Sequence, residues 1–210
     1  EIRYLARAYT HLKDDRYKQA AIKGIHFLIE AQYENGGWPQ YYPQARGYAK
    51  HITFNDSAMI GVMSLLRDIV QGKPEFKFVG DPIRQQAAQA IDRGIDCILR
   101  CQIVVKGEKT VWCAQHDEIT LEPRKARSYE LASLSGGESV KIVKFLMAIK
   151  NPTTEVIEAI EAAVAWFDQV KIKGKRIQRI QDASKPGGRD RIVVQDPSAP
   201  PLWARFYEIE

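Results

Sequence analysis

The phrase that decides the fold is GIHFLIEAQ (24–32), which returns as GIDCILRCQ (94–102). Both copies place a glycine, then apolar residues at helical spacing, then a glutamine. The offset is 94 − 24 = 70 residues. A further step of about 70 lands on Ala163-Val164-Ala165-Trp166-Phe167, a small-then-apolar version of the same phrase. Each copy runs into a glycine-containing turn and an extended piece: Gly36-Gly37-Trp38, Lys106-Gly107-Glu108 and Lys173-Gly174-Lys175. One further helical pattern lies between copies. The predicted unit is a helical hairpin, repeated three times.

Helical patterns run over 2–13, 16–33, 56–71, 82–102, 138–150 and 154–170. Asn55 or Asp56, Asp81-Pro82, and Thr153 or Thr154 stand where N-caps belong. Such hairpins can stack as a solenoid or close into a ring. Solenoid repeats are usually shorter, ~30–47 residues, and long loops on one side favour a ring whose loops build a site. The predicted fold class is all-α: an (α/α)3 toroid of three helical hairpins, with long irregular loops and a few short strands. Residues 1–210 are expected to form a single domain. The tail differs, with short strands expected around 189–194 and 202–207 and a rigid connector at Pro197-Ser198-Ala199-Pro200-Pro201.

The 210 residues are 45% hydrophobic and 27% charged, the profile of a globular domain with a sizeable core. No apolar run approaches the ~18–20 residues needed to span a bilayer. Nothing at Glu1-Ile2-Arg3 reads as a secretion signal, so the chain is expected to be cytosolic or the mature form of a secreted protein. A net charge of +5 favours an anionic partner. The basic residues are scattered rather than striped, which argues against nucleic acid. Cys97, Cys101 and Cys113 make no metal-ligand or disulfide framework and are expected as buried thiols. Dinucleotide, Walker, zinc-protease and serine-hydrolase motifs are absent.

The chemically dense part of the chain is the connector after the second copy. It holds Trp112-Cys113-Ala114-Gln115-His116, then Pro123-Arg124-Lys125-Ala126-Arg127-Ser128-Tyr129-Glu130, then Ser133-Leu134-Ser135-Gly136. A connector this long is usually functional or disordered, and its Trp and Tyr argue against disorder. Arg124-Lys125-Ala126-Arg127 is either a solvated basic turn or an anion cradle, since guanidinium groups bind carboxylates bidentately. In His51-Ile52-Thr53-Phe54-Asn55-Asp56, Asp56 could hold a hard cation with Asn55 as a neighbouring oxygen donor. On spacing alone the N-cap reading of that pair is preferred. Trp203-Ala204-Arg205-Phe206-Tyr207 is a groove-facing cation between aromatics or a strand with one snorkelling arginine. Trp38-Pro39-Gln40-Tyr41-Tyr42-Pro43 suits a sugar-stacking wall or a rigid packing loop.

Together these motifs resemble polysaccharide lyase family 10, the calcium-dependent pectate lyases built on a three-hairpin α/α toroid. The segments that carry the resemblance are NGGWPQYYP (35–43), HITFNDSAM (51–59), TVWCAQHDEITLEPRKARSYELASLSGGES (110–139), AVAWFD (163–168) and LWARFYEI (202–209). The resemblance implies cleavage of polygalacturonate by anti β-elimination. It implies Arg127 as the base that takes the C5 proton and Asp56 as a carboxylate for Ca2+ or substrate. Arg205 would pair with a substrate carboxylate, and Lys125, His116, Tyr129 and Asn55 are further cleft candidates. It also implies a secreted or periplasmic monomer that binds pectin and neither nucleic acid nor membrane. The family's modules begin earlier and continue further, so the chain is expected to be the central part of one. Two other readings stand beside it: a non-catalytic module that binds acidic glycans, and a helical-repeat interaction scaffold.

Overall fold

The computed structural model describes residues 1–210. Six helices carry the fold: α1 (Ile2–Leu12), α2 (Asp15–Glu30), α3 (Ala58–Val70), α4 (Asp81–Cys101), α5 (Gly136–Met147) and α6 (Thr154–Gln169). They pair as α1/α2, α3/α4 and α5/α6, the three expected hairpins. α2, α4 and α6 are neighbours in succession, and α3 lies against α5. The fold class is the expected all-α, (α/α)3 toroid with long loops.

The repeat is written into the hydrogen bonds as well as the sequence. The indole N–H of Trp38 donates to the Leu28 carbonyl at 2.7 Å, that of Trp112 to Ile98 at 2.7 Å, and that of Trp203 to Phe167 at 2.8 Å. Leu28, Ile98 and Phe167 occupy the same place in their copies, four residues after Gly24, Gly94 and Ala163. Each loop therefore returns an indole to the last turns of the helix it left. The glutamine that closes the phrase has a second role. Gln32 Nε2 donates to Gly36 in its own loop and to Ala90 in α4, at 2.9 and 2.8 Å. Gln102 Nε2 donates to Thr110 in its own loop and to Ala159 in α6, both at 2.9 Å. A side-chain amide, half-buried at Gln32 and buried at Gln102, thus ties each of the first two hairpins to the next.

The core runs through all three hairpins. Ile25, Phe54, Met63, Phe76, Trp112 and Leu146 are among its fully enclosed side chains. Gly94 is a packing residue, because a Cβ there would sit 2.7 Å from Met63 Cε and 3.1 Å from the Trp38 ring. All three cysteines are free and buried as expected, Cys97 and Cys101 on α4 and Cys113 in the loop that follows it.

Short strands staple the loops: β1 (Ile52–Thr53), β2 (Val104–Val105), β3 (Glu108–Lys109), β4 (Gln115–His116), β5 (Leu134–Ser135), β6 (Lys175–Gln181), β7 (Arg189–Gln195) and β8 (Phe206–Tyr207). All pairings are antiparallel: β1 with β4, β2 with β3, β5 with β8, and β6 with β7. The β6–β7 pair is an exposed seven-rung hairpin, and the Ile172–Leu202 bridge closes its base.

Two expected caps are corrected. Asn55 and Asp56 do not cap α3; Ser57 stands at the N-cap without a side-chain bond, and α3 starts at Ala58. The cause is the β1–β4 staple. Phe54 and Asn55 both donate their N–H to the Ala114 carbonyl, at 2.9 and 3.0 Å, which fixes the approach. The chain then enters α3 through two left-handed residues, Asp56 at φ 50° and Ser57 at φ 63°. At α4 the N-cap is Gly80, with Asp81 and Pro82 inside the first turn. Thr153 caps α6 as expected, accepting from the Val156 N–H.

Candidate active site

Three loops meet at one end of the helices. The first, between α2 and α3, ends in Asn55 and Asp56. The second, between α4 and α5, carries Lys125, Arg127, Tyr129 and Glu130. The third, after β7, carries Arg205. β1–β4 binds the first loop to the second, and β5–β8 binds the third to the second. The Gly136 N–H donates to the Arg205 carbonyl at 3.0 Å. A Cβ on Gly136 would lie 3.0 Å from the Ala204 carbonyl oxygen, so the small residue allows that approach.

The side chains converge on Glu130, whose carboxylate is 4% exposed. Arg127 grips it as a fork, Nε to Oε2 at 2.8 Å and Nη2 to Oε1. Arg205 Nη2 stands 3.9 Å from the same Oε1 and also reaches Asn55 Oδ1 at 3.1 Å and Glu138 Oε1 at 3.4 Å. Ser135 Oγ donates to the other oxygen of Glu138. Two half-exposed guanidinium groups are thus held by two buried carboxylates and one amide oxygen. The bidentate bond from Arg127 pushes the Glu130 carboxyl below its usual range. The same bond raises Arg127 above the ordinary arginine value, so in this geometry it is a cation. Aromatic faces flank both: the Arg127 guanidinium lies 5.0 Å from the Tyr129 ring centre, and Arg205 lies 4.7 Å from that of Phe206.

Asp56 is exposed and engages in no hydrogen bond or ion pair, one residue from the Asn55 that Arg205 holds. A non-glycine residue at positive φ is uncommon, and such strain concentrates at functional sites. Lys125 is exposed and lines an open cleft of about 750 Å3 with Tyr48, Lys50, His51 and Arg124. Tyr129 is 64% exposed.

His116 is corrected. It is 0% exposed, and both ring nitrogens are used: Nδ1–H donates to the Leu121 carbonyl at 2.8 Å, and Nε2 accepts the Cys113 N–H at 3.1 Å. Burial lowers its pKa from 6.5 to about 4, so it is neutral. It braces the loop from inside, with neither ring nitrogen left free.

Sequence reading did not single out Glu130 or Glu138. Their signal was spacing: Glu130 is three residues after Arg127, and Glu138 is three after Ser135. A further cluster, His51, Asp117 and Glu118, offers metal-ligand atoms within 4.8 Å of one another. Its carboxylates already have cations, Lys50 on Glu118 at 2.6 Å and Arg124 on Asp117 at 2.9 Å. Asp117 also accepts the N–H groups of Thr120 and Ile119, which hold its carboxyl far below the usual range.

The three-hairpin fold is shared with known proteins. Two solved structures of a family 10 polysaccharide lyase from Cellvibrio cellulosa superpose with TM-scores of 0.85 at 35% sequence identity, each over 98% of this chain. One of them is a variant in complex with trigalacturonic acid. The chain spans 63% and 62% of those proteins, under two thirds of their length. A sequence comparison with curated proteins returns no match. The profile of the pectic acid lyase family matches residues 1–210, end to end. By that match, and by the fold it shares with the Cellvibrio enzyme, the chain belongs to the pectic acid lyase family.

Proposed function

We propose that the chain belongs to a calcium-dependent pectate lyase that cleaves polygalacturonate by anti β-elimination. The observation that carries the proposal is the convergence of Arg127, Arg205 and Asn55 around Glu130, beside the unpaired Asp56. The complex of the Cellvibrio relative with trigalacturonic acid supports the same substrate class.

In the reaction the C5–H bond breaks, its electrons form the C4=C5 double bond, and the C4–O bond breaks. The leaving chain takes a proton from solvent, and the new end is 4,5-unsaturated. C5–H is a poor acid because the adjacent C6 carboxylate is already negative. Arg205, half-exposed and steadied by Asn55 and Glu138, is positioned to pair with that carboxylate. Lys125, in the neighbouring cleft, and Tyr129, stacked on Arg127, are the proposed further contacts to the polymer.

Arg127 is the proposed base, and Glu130 sets its protonation. In the open site the ion pair favours the charged arginine. A polymer laid across the site strips water from both charges, which penalises the pair. The neutral pair, with the guanidinium proton moved onto Glu130, then becomes accessible, and the free guanidine nitrogen can take the C5 proton.

The residues fit calcium at Asp56. Its carboxylate is exposed and unpaired, an oxygen donor of the type calcium takes, with further oxygens to come from substrate and water. The His51–Asp117–Glu118 cluster fits less well, because it brings a nitrogen donor and two carboxylates already paired with cations. Bound calcium would neutralise a uronate carboxylate and stabilise the enolate-like charge that develops beside it. The reading carries an extracellular or periplasmic location and a monomer. No helix is long and apolar enough to cross a membrane.

The test is the ultraviolet absorbance of unsaturated product from polygalacturonate with calcium. The full-length protein should produce it. Arg127→Ala should reduce it by at least ~100-fold, on the scale of a lost general base, and EDTA should abolish it reversibly. Full activity in Arg127→Ala would sink the base assignment. The locked Arg127–Glu130 pair also supports a second reading, a module that binds acidic glycans without turnover. Oligogalacturonate binding with no unsaturated product from the full-length protein decides for that one.

A further inference from the structure

The β6–β7 hairpin stands clear of the helices and carries a charge pattern that the catalytic proposal does not use. In an antiparallel ribbon, directly opposed residues share a face. The register pairs Lys175 with Gln195, Ile177 with Val193, Arg179 with Arg191, and Gln181 with Arg189, all on one face. That face therefore holds four cations and one apolar pair. Ile177 is 56% exposed and Val193 65%. None of the four cations makes an ion pair, since the nearby acids are engaged elsewhere: Asp196 pairs with Arg176 at 3.0 Å, and Asp190 lies 3.8 Å from Lys185. Arg179, Arg189 and Arg191, with Asp190 at the rim, line a shallow cleft of about 500 Å3.

Opposing arginines repel across a rung, so Arg179 and Arg191 destabilise the hairpin unless an anion lies between them. Rungs on one face repeat about every 7 Å along the strand. The face then reads as arginines, an apolar pair and a lysine in succession, over roughly 20 Å. A polymer with one carboxylate per sugar would meet those cations in turn, while the C–H face of a sugar ring covers Ile177 and Val193. Single-stranded nucleic acid is matched less well, because it is held by stacking on aromatic side chains and this face has none.

We infer that this face is a second polyuronate-binding surface, which holds the polymer outside the catalytic cleft. The inference rests on the proposed substrate class. The hairpin's base, the Ile172–Leu202 bridge, lies three residues before Arg205, so a chain held there is delivered beside the loop that carries it.

The test is gel retardation of the full-length protein by immobilised polygalacturonate, in an Arg127→Ala background that leaves the gel undigested. Arg179→Gln/Arg189→Gln/Arg191→Gln should weaken retardation roughly tenfold at low salt, the sum of three exposed charge contacts. Gln178→Ala, on the opposite face, should leave it unchanged. In the otherwise native enzyme the triple variant should raise KM for polymer by a similar factor and leave kcat and trigalacturonate turnover alone. Unchanged retardation overturns the inference. So does equal retention of the parent by a single-stranded oligonucleotide, or loss of trigalacturonate turnover in the triple variant. Retardation needs no turnover, so arginine-dependent retardation in a protein without lyase activity sinks the catalytic proposal and leaves this surface standing.

Discussion

Glu130 and His116 show how far a residue's chemistry departs from its type. An acid among clustered cations looks misplaced in a sequence, yet the buried Glu130 carboxylate is what orients Arg127 and faces Arg205. That role needs three loops at once, and residue spacing cannot report it. His116 erred in the opposite direction. An imidazole in a polar loop read as a cleft residue, but the loop folds back so that Leu121 and Cys113 satisfy both nitrogens indoors. A testable pH dependence follows. The folded pKa of about 4 lies below the ordinary value of 6.5, so the fold prefers the neutral ring. The stability contributed is complete above pH 6.5 and is lost as pH falls towards 4. The whole effect is on the order of 3 kcal/mol. Denaturant midpoints measured across that window should fall with acid, and His116→Gln should flatten the slope while lowering stability at neutral pH. An equal slope in the variant would assign the acid sensitivity to other groups.

The elements that sequence periodicity made legible were those with a buried stripe. All six helices lie within three residues of their expected bounds, close to the ordinary error of helix ends. Entry to α3 was misread because local capping chemistry competes with a tertiary staple, and β1–β4 prevails there. Of the two-residue strands, β8 falls within the strand expected at 202–207, but β1, β4 and β5 were illegible for the same reason: a pair of residues has no periodicity, and its partner lies in another loop. The NGGW loop was legible in its glycines and carries an element-scale prediction. Gly36 sits at φ 92°, and a Cβ there would lie 2.0 Å from the Arg93 carbonyl oxygen in α4. Backbone cannot step aside as a side-chain tip can, so Gly36→Ala should cost roughly 2–4 kcal/mol. Gly107, also at positive φ (88°), meets nothing within 4 Å. Gly107→Ala should therefore cost only its dihedral strain, about 1–2 kcal/mol. Thermal unfolding of the two variants checks the order, and equal losses would mean that the contact of the NGGW loop with α4 gives way more easily than its geometry implies.

At the scale of the molecule, the repeat and the candidate site are one arrangement. Every copy of the phrase ends a helix that leads towards site residues: Asn55 and Asp56 after the first, Arg127 and Glu130 after the second, Arg205 after the third. Their meeting therefore depends on how adjacent hairpins are held, and the repeated glutamine holds them. The third copy has Lys171 in that position, which pairs with Asp168 in its own helix end. The joint between the second and third hairpins thus rests on Gln102, with its two bonds to Thr110 and Ala159. Gln102→Met keeps the volume but leaves both carbonyls without that donor. Gln102 Oε1 is itself buried without a partner, so its removal returns part of the loss. The expected net cost is about 1–3 kcal/mol. Because Arg127 and Arg205 stand on opposite sides of this joint, misplacement by even a fraction of an ångström should also lower kcat on polygalacturonate, by up to ~100-fold. Lys171→Met removes a surface pair at the equivalent position and should change neither quantity by more than about 0.5 kcal/mol of stability or twofold in rate. Chemical denaturation and steady-state kinetics on both variants distinguish the cases. A Gln102→Met protein with native stability and native turnover would show that the hairpins keep their register through apolar packing alone, and that the conserved place of glutamine in the two copies has no part in assembling the site.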